Sequence, residues 1–162
     1  MKIVIISGTP GTGKTALARK LTKFLTAESI DVNAIINKNS LKEKYDHQRQ
    51  TYEVDIRKLN AAIKRKLKQY SVESTVIIDS HLSHYLSGIK TALCIITTCN
   101  LKLLLKRLKQ RKYRKTKIRE NLDAEIFDVC FLEATAKHKN IMKIDTTKPI
   151  TLNTLKQIKK LL

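Results

Sequence analysis

Proline and glycine are scarce, with two and four residues in a chain of 162, and no low-complexity linker divides it. One domain with its own hydrophobic core is the expectation, spanning residues 1–162. Long apolar runs are also missing. None approaches the roughly 20 residues of a membrane-spanning helix, which argues against a membrane protein. The apolar start, Ile3 to Ile6, runs directly into a glycine-rich loop, so cleaving a leader there would destroy that loop. A soluble, intracellular protein is expected, cytoplasmic unless its cell has a nucleus. Cysteine is too sparse for a disulfide framework: Cys94, Cys99 and Cys130 form an odd set at no zinc spacing. Two lie in or beside the apolar run Leu93 to Thr98, which points to buried free thiols and excludes a zinc ribbon. Acidic residues are few as well, 14 against 33 Lys plus Arg, for a net charge of +19. Such a field suits a polyanionic partner, although a lysine-rich solvated surface would give the same total.

What remains is a regular alternation of short apolar strands with helical patterns, the pattern of a parallel sheet covered by helices on both faces. Ile3 to Ser7 reads as a buried central strand. Val32 to Ile36, Thr75 to Asp79, Leu93 to Thr98 and Ile141 to Asp145 complete a predicted sheet of five strands. Helical spacing of apolar residues marks Lys14 to Thr26, Asp55 to Gln69, the segment from Leu101, one helix through Leu122, Ile126, Val129 and Cys130, and Thr151 to Leu162. Two stretches, Asn37 to Glu53 and Gln110 to Glu120, fit neither pattern and read as insertions over the sheet edge.

The strongest motif is Gly8-Thr9-Pro10-Gly11-Thr12-Gly13-Lys14-Thr15, a P-loop set between a buried strand and an amphipathic helix. Glycines let backbone N–H groups turn inward around phosphate oxygens. Lys14 can reach the β and γ phosphates, the Thr15 hydroxyl is a hard oxygen ligand for Mg²⁺, and the helix N-terminus favours an anion. ATP or GTP binding follows. Val76-Ile77-Ile78-Asp79 is an apolar strand ending in a carboxylate, where P-loop enzymes hold Mg²⁺ or its water. His81 and His84 form an H-x-x-H pattern without an evident third ligand, so no metal site is read there. His81 could orient a water or a phosphate, but from these residues alone a polar loop histidine is the better explanation.

From Leu101 to Arg119 ten basic residues occur without one acid, so this segment carries +10 of the net +19. Arg107 and Arg111 lie four apart on one helical face, where they could clamp a transferring phosphoryl group. The lysines could contact RNA phosphates. A solvated helix face explains several of them, but not the whole run, whose self-repulsion calls for an anion.

Taken together, these residues resemble the adenylate kinase isoenzyme-6 family, an archaeal and eukaryotic nuclear-type adenylate kinase that also acts in small-ribosomal-subunit maturation. The resemblance covers nearly the whole chain. It rests on the P-loop, Asp79-Ser80-His81, Arg107-Leu108 with Arg111 and Tyr113, Asn121 with Glu125-Ile126-Phe127, Glu133-Ala134-Thr135-Ala136, and Thr147-Lys148-Pro149. It implies a P-loop fold and an ATP site made by Gly11, Gly13, Lys14, Thr15 and Ala16, with Arg111 touching ATP and Lys148 beside the adenine. It also gives His81 a part in catalysis, and implies a monophosphate segment at about residues 37–56 and a lid at about 110–120. Asn39, Ser40, Tyr45, Asp46, Arg49 and Arg57 are candidates in the monophosphate segment without individual roles. One departure is Lys112, where the family usually has glycine.

The expected reaction is transfer from ATP to AMP with Mg²⁺, giving two ADP. Lys14, Arg107 and Arg111 neutralise charge, His81 assists, and Thr15 and Asp79 hold the metal directly or through water. The free protein is expected to be a monomer. The alternative is a ribosome-assembly ATPase that binds a small-subunit protein or pre-rRNA. A small-metabolite kinase fits the P-loop but not the Glu-Ile-Phe block.

Overall fold

The computed structural model describes residues 1–47 and 51–162. Five parallel strands form the main sheet in the order β2-β5-β1-β6-β7: β1 (Lys2–Ser7), β2 (Glu28–Asp31), β5 (Thr75–Asp79), β6 (Thr91–Thr98) and β7 (Ile141–Asp145). Between them run α1 (Lys14–Leu25), α2 (Val32–Lys38), an antiparallel hairpin of β3 (Lys42–Asp46) and β4 (Thr51–Val54), and α3 (Ile56–Leu67). A short 3-10 turn, Ser83–Tyr85, follows β5. The chain then adds α4 (Leu101–Gln110), α5 (Lys115–Ile126), α6 (Val129–Thr135) and finally α7 (Leu152–Lys160).

The three central strands are apolar on both faces because helices cover both. Alternate residues divide cleanly: Ile3 and Ile5 of β1, Val76 and Ile78 of β5, and Cys94 and Ile96 of β6 pack against α2, α3 and α6. Val4 and Ile6, Ile77, Leu93 and Ile95 point the other way, onto Leu17, Ala18 and Leu21 of α1 and Leu155 and Ile158 of α7. This two-sided burial is what a nearly continuous Val/Ile/Leu run in a strand signals. A separate small cluster of Cys99, Leu104 and Leu108, with Tyr113, Ile118 and Leu122 against it, joins α4 to α5.

Two expectations need correction. Val32 to Ile36 is not a strand. Asp31 accepts a hydrogen bond from Ala34 N at 3.0 Å and caps a helix there, and Val32 and Ile36, four apart, turn to the core together. The strand comes just before it. As an edge strand with only Ile30 buried, β2 lacks the apolar run that marks its neighbours. The stripe through Leu122, Ile126, Val129 and Cys130 likewise does not form one helix. The chain breaks at Asp128, in the left-handed region at φ 53, and Lys143 Nζ holds its carboxylate at 2.7 Å. Phe127, two-thirds exposed, stands at the corner between α5 and α6.

The segment Gln110 to Glu120 is the corner between α4 and α5, and α4 ends in a Schellman motif. Tyr113 N donates to Leu108 O at 3.4 Å, Lys112 N donates to Lys109 O at 2.9 Å, and the Tyr113 ring packs on Leu108. The motif needs a left-handed residue at Lys112, which has φ 57. A Cβ is disfavoured there, so Lys112 carries local strain. Lys112→Gly should therefore stabilise the protein by about 0.5–1 kcal/mol, net of the added chain entropy of glycine. Thermal or urea unfolding measures this, and an unchanged or lowered midpoint would show that the joint is unstrained.

Candidate functional site

The parallel sheet brings the C-terminal ends of β1, β5, β6 and β7 to one edge, and the P-loop leaves β1 there. Gly8, at φ 137, must pass close to β6: a Cβ on it would collide with the carbonyl of Thr97 and come within 2.8 Å of its hydroxyl. The loop is tied to the strand ends by threonines. Thr12 Oγ1 lies 2.7 Å from Thr97 Oγ1 and donates to Thr9 O at 2.7 Å. The hydroxyl of Thr146, just past β7, hydrogen-bonds the Thr12 carbonyl. Sequence reasoning missed Thr97 and Thr146. The signal was a Thr-Thr pair at the end of both strands, 97–98 and 146–147.

Lys14 Nζ donates to the carbonyls of Gly8 at 2.8 Å and Thr9 at 3.0 Å. Burial lowers its pKa to about 8, with Arg111 adding to the effect and Asp79 opposing it. It is therefore largely protonated at pH 7. Asp79, at the end of β5, is shifted upward by burial, against the pull of a hydrogen bond from Thr15 and of the Lys14 charge. Asp31 lies opposite Asp79 in the β2–β5 register and pushes it up further. Thr15 and Asp79 thus meet, and Asp31, which no motif marked, adds a second carboxylate. Hard oxygens around a carboxylate whose charge is poorly solvated fit a divalent cation such as Mg²⁺.

These groups line a cleft of about 1250 Å³. Gly11, Gly13, Lys14, Thr15 and Ala16 form its floor; Asp79 and His81 stand on one side, Arg107 and Arg111 on the other. The two arginines differ in placement. Arg107 braces the loop, donating to Gly11 O at 3.0 Å and reaching Thr146 O at 3.5 Å. Arg111, at the end of α4, faces the Lys14 charge across the cleft. Glu125 of α5 also reaches the loop: it accepts from Cys99 N at 2.9 Å and from the Thr9 hydroxyl, and burial raises its pKa. His81 lines the cleft as an exposed residue. Desolvation in the wall, then the Lys14 charge, push its pKa below the usual histidine value, so it is neutral at pH 7.

Other expected residues are not gathered here. Lys148 is exposed on the loop after β7 and is not among the residues lining the cleft. Asn39 and Ser40 are exposed past the end of α2, and Arg57 on the first turn of α3. Tyr45 stacks edge-on with Tyr52 in the hairpin, Asp46 lines a second, smaller cleft, and Arg49 lies outside the described residues. Among the described residues, no helix is long and apolar enough to cross a membrane.

Known proteins resemble this chain in sequence and in fold. The profile of the AAA domain family matches residues 4–128. The chain is 34% identical over 145 residues to a Thermococcus kodakarensis protein named "putative adenylate kinase", covering 90% of this chain and 76% of that one. It is 35% identical over 144 residues to a Methanocaldococcus jannaschii protein of the same name, covering 89% and 76%. Shikimate kinase from Acinetobacter baumannii superposes with a TM-score of 0.64 at 18% identity, over 99% of this chain and 92% of that one. Deoxyadenosine kinase from M. mycoides does so with 0.61 at 15% identity, over 99% of both chains. The two structures share the fold, and the curated relatives share the sequence over most of their length. With its P-loop opposite Asp79 at the ends of a parallel sheet, the chain belongs to the adenylate-kinase-like family of these relatives and is a nucleotide kinase.

Proposed function

We propose that the chain is an adenylate kinase, moving the γ-phosphoryl group of ATP reversibly to AMP to give two ADP. The observation that carries this reading is a shared wall. Asn33, Thr51 and His81 line both the cleft over the P-loop and a smaller cleft of about 400 Å³. A donor held by the loop would thus face an adjoining pocket large enough for a nucleoside. Ile36, Ile56 and Leu82 offer it apolar walls for a base, and Asp46 and Tyr52 offer polar groups. The names of the relatives support the same acceptor.

In this account the loop N–H groups and Lys14 hold the phosphates, and Arg111 neutralises charge as the phosphoryl group moves in line. Arg107 keeps Gly11 in place rather than clamping phosphate itself. Mg²⁺, when bound, would supply charge neutralisation between the phosphates, with Thr15 and Asp79 to hold it and Asp31 alongside. No general base is required. Neutral His81, at the junction of the clefts, is suited to orienting the acceptor. Residues 37–56 and 110–120 act as the monophosphate and lid segments, whose closure would exclude water.

A second reading is favoured by the ten-cation run from Lys102 to Arg119. It is a ribosome-assembly ATPase binding a small-subunit protein or pre-rRNA. It predicts that affinity for an rRNA fragment falls steeply as salt rises; a flat salt response removes the RNA role.

The kinase reading predicts that ADP formation from ATP and Mg²⁺ rises at least about tenfold when AMP is added, about 1.4 kcal/mol of barrier. Equal rates with and without AMP would sink it. The lowered pKa of Lys14 adds a pH signature. Its cationic form is lost as pH rises through about 8, so kcat/KM for ATP should fall above that pH. The kcat limb should lie higher, because bound phosphates favour the charged lysine. A profile flat to pH 10 would mean that Lys14 keeps its proton in the free enzyme.

A further inference from the structure

Beneath the P-loop lies a chain of side chains that the reaction, as described, does not use. Ser7, the last residue of β1, is fully buried, and its hydroxyl lies 2.6 Å from His84 Nδ1. His84 is 1% exposed. Its other nitrogen, Nε2, lies 3.0 Å from Glu133 of α6, whose same carboxylate oxygen accepts the Tyr85 hydroxyl at 2.7 Å. The His84 carbonyl accepts from His138 Nε2 at 3.0 Å. The neighbouring Ser83 hydroxyl reaches the carbonyls of Ile6 at 2.9 Å and Ser80 at 2.7 Å.

A serine, a histidine and a carboxylate in line suggest a nucleophile and its base, but Ser7 has no exposed surface from which to attack a substrate. The order of the bonds implies another task. A carboxylate accepts, so Nε2 carries the ring proton, and Nδ1 is left to accept from the Ser7 hydroxyl. Burial keeps the ring neutral by lowering its pKa, as do His138 and the Lys14 charge, against Glu133. Ser7 is thereby fixed at its hydroxyl by His84, while Thr97 Oγ1, bonded to Thr12 Oγ1, stands 3.3 Å from its carbonyl. The next residue is Gly8, whose carbonyl receives Lys14 Nζ.

We propose that His84, oriented by Glu133, is a positioning residue for phosphoryl transfer: through the Ser7 hydroxyl it sets the direction in which the chain enters the P-loop and so the place of Lys14. The proposal rests on the kinase reading for its rate effect, though not for its hydrogen bonds. A small displacement of a charged group from the reacting phosphate lowers rate more than binding, because the interaction strengthens in the transition state.

The test compares His84→Leu, His84→Asn and Ser7→Ala by steady-state turnover and thermal unfolding. His84→Leu should lower kcat by about tenfold or more while KM for ATP stays within about twofold. His84→Asn, whose Oδ1 can stand near the position of Nδ1 and accept from Ser7, should recover most of that loss. The double variant Ser7→Ala/His84→Leu should be no worse than the poorer single one, since both remove the Ser7–His84 bond. A kcat unchanged in His84→Leu, an asparagine variant as poor as the leucine one, or additive losses would overturn the proposal. If His84→Leu does not fold, the other two single variants decide. Long-range proton–nitrogen spectra of the wild-type protein give a readout independent of turnover. They should show His84 protonated at Nε2, with an Nδ1 resonance that moves in Ser7→Ala; an Nδ1-protonated ring refutes the bond. Should ADP form equally well without AMP, the acceptor assignment fails, while the same kcat ratios taken on hydrolysis still decide the role of His84.

Discussion

The pairing of β1 on both edges, to β5 and to β6, is the constraint on which the cleft depends. A strand hydrogen-bonded on both sides and buried on both faces cannot shift without exposing its whole apolar set. The loop that follows therefore starts from a fixed point and in a fixed direction. From there each tie is short: Thr97 from β6, Thr146 from the end of β7, Arg107 from α4 and Glu125 from α5. Phosphate binding needs N–H groups aimed before the ligand arrives, because preorganised dipoles pay no reorganisation during the reaction. The ties supply that fixity from four different elements.

Charge around the loop is arranged in opposition. Lys14 loses some of its proton affinity to burial and to Arg111, while Asp79 gains some through burial and Asp31. Cations on one wall and carboxylates on the other suit a ligand that is itself an anion carrying a dication. The same contrast explains why a strongly basic chain keeps acids just here.

Much of this was legible in the sequence, and the exceptions have physical reasons. The P-loop and Asp79 were readable because strand, loop and carboxylate are local patterns. β1, β5 and β6 showed as apolar runs because they are buried, and β7, an edge strand with only Ile144 buried, showed because Ile141 and Met142 beside it are apolar too. β2 did not show, since Glu28, Ser29 and Asp31 leave Ile30 as its one apolar residue, and Val32 to Ile36 looked like a strand because a seven-residue helix gives too few turns to display its period. The division of α5 from α6 was hidden for a similar reason: apolar residues continue across a corner that a single left-handed Asp128 creates. Arg107 was foreseen at the cleft but not its orientation onto the loop backbone, which depends on how α4 packs. His84 could not be given a partner, because Ser7 and Glu133 lie 77 and 49 residues away from it.

The bond from the Thr146 hydroxyl to the Thr12 carbonyl spans 134 positions of the chain, and this bears on when the protein becomes itself. The motif, Gly8 to Thr15, precedes the strands that hold it, β5, β6 and β7, in the order of synthesis. Pairings so distant must await the intervening chain and carry a large loop-closure entropy. A growing polypeptide would thus present the glycine-rich segment long before it could grip a nucleotide. Competence would arrive late and all at once, with the docking of the final strand.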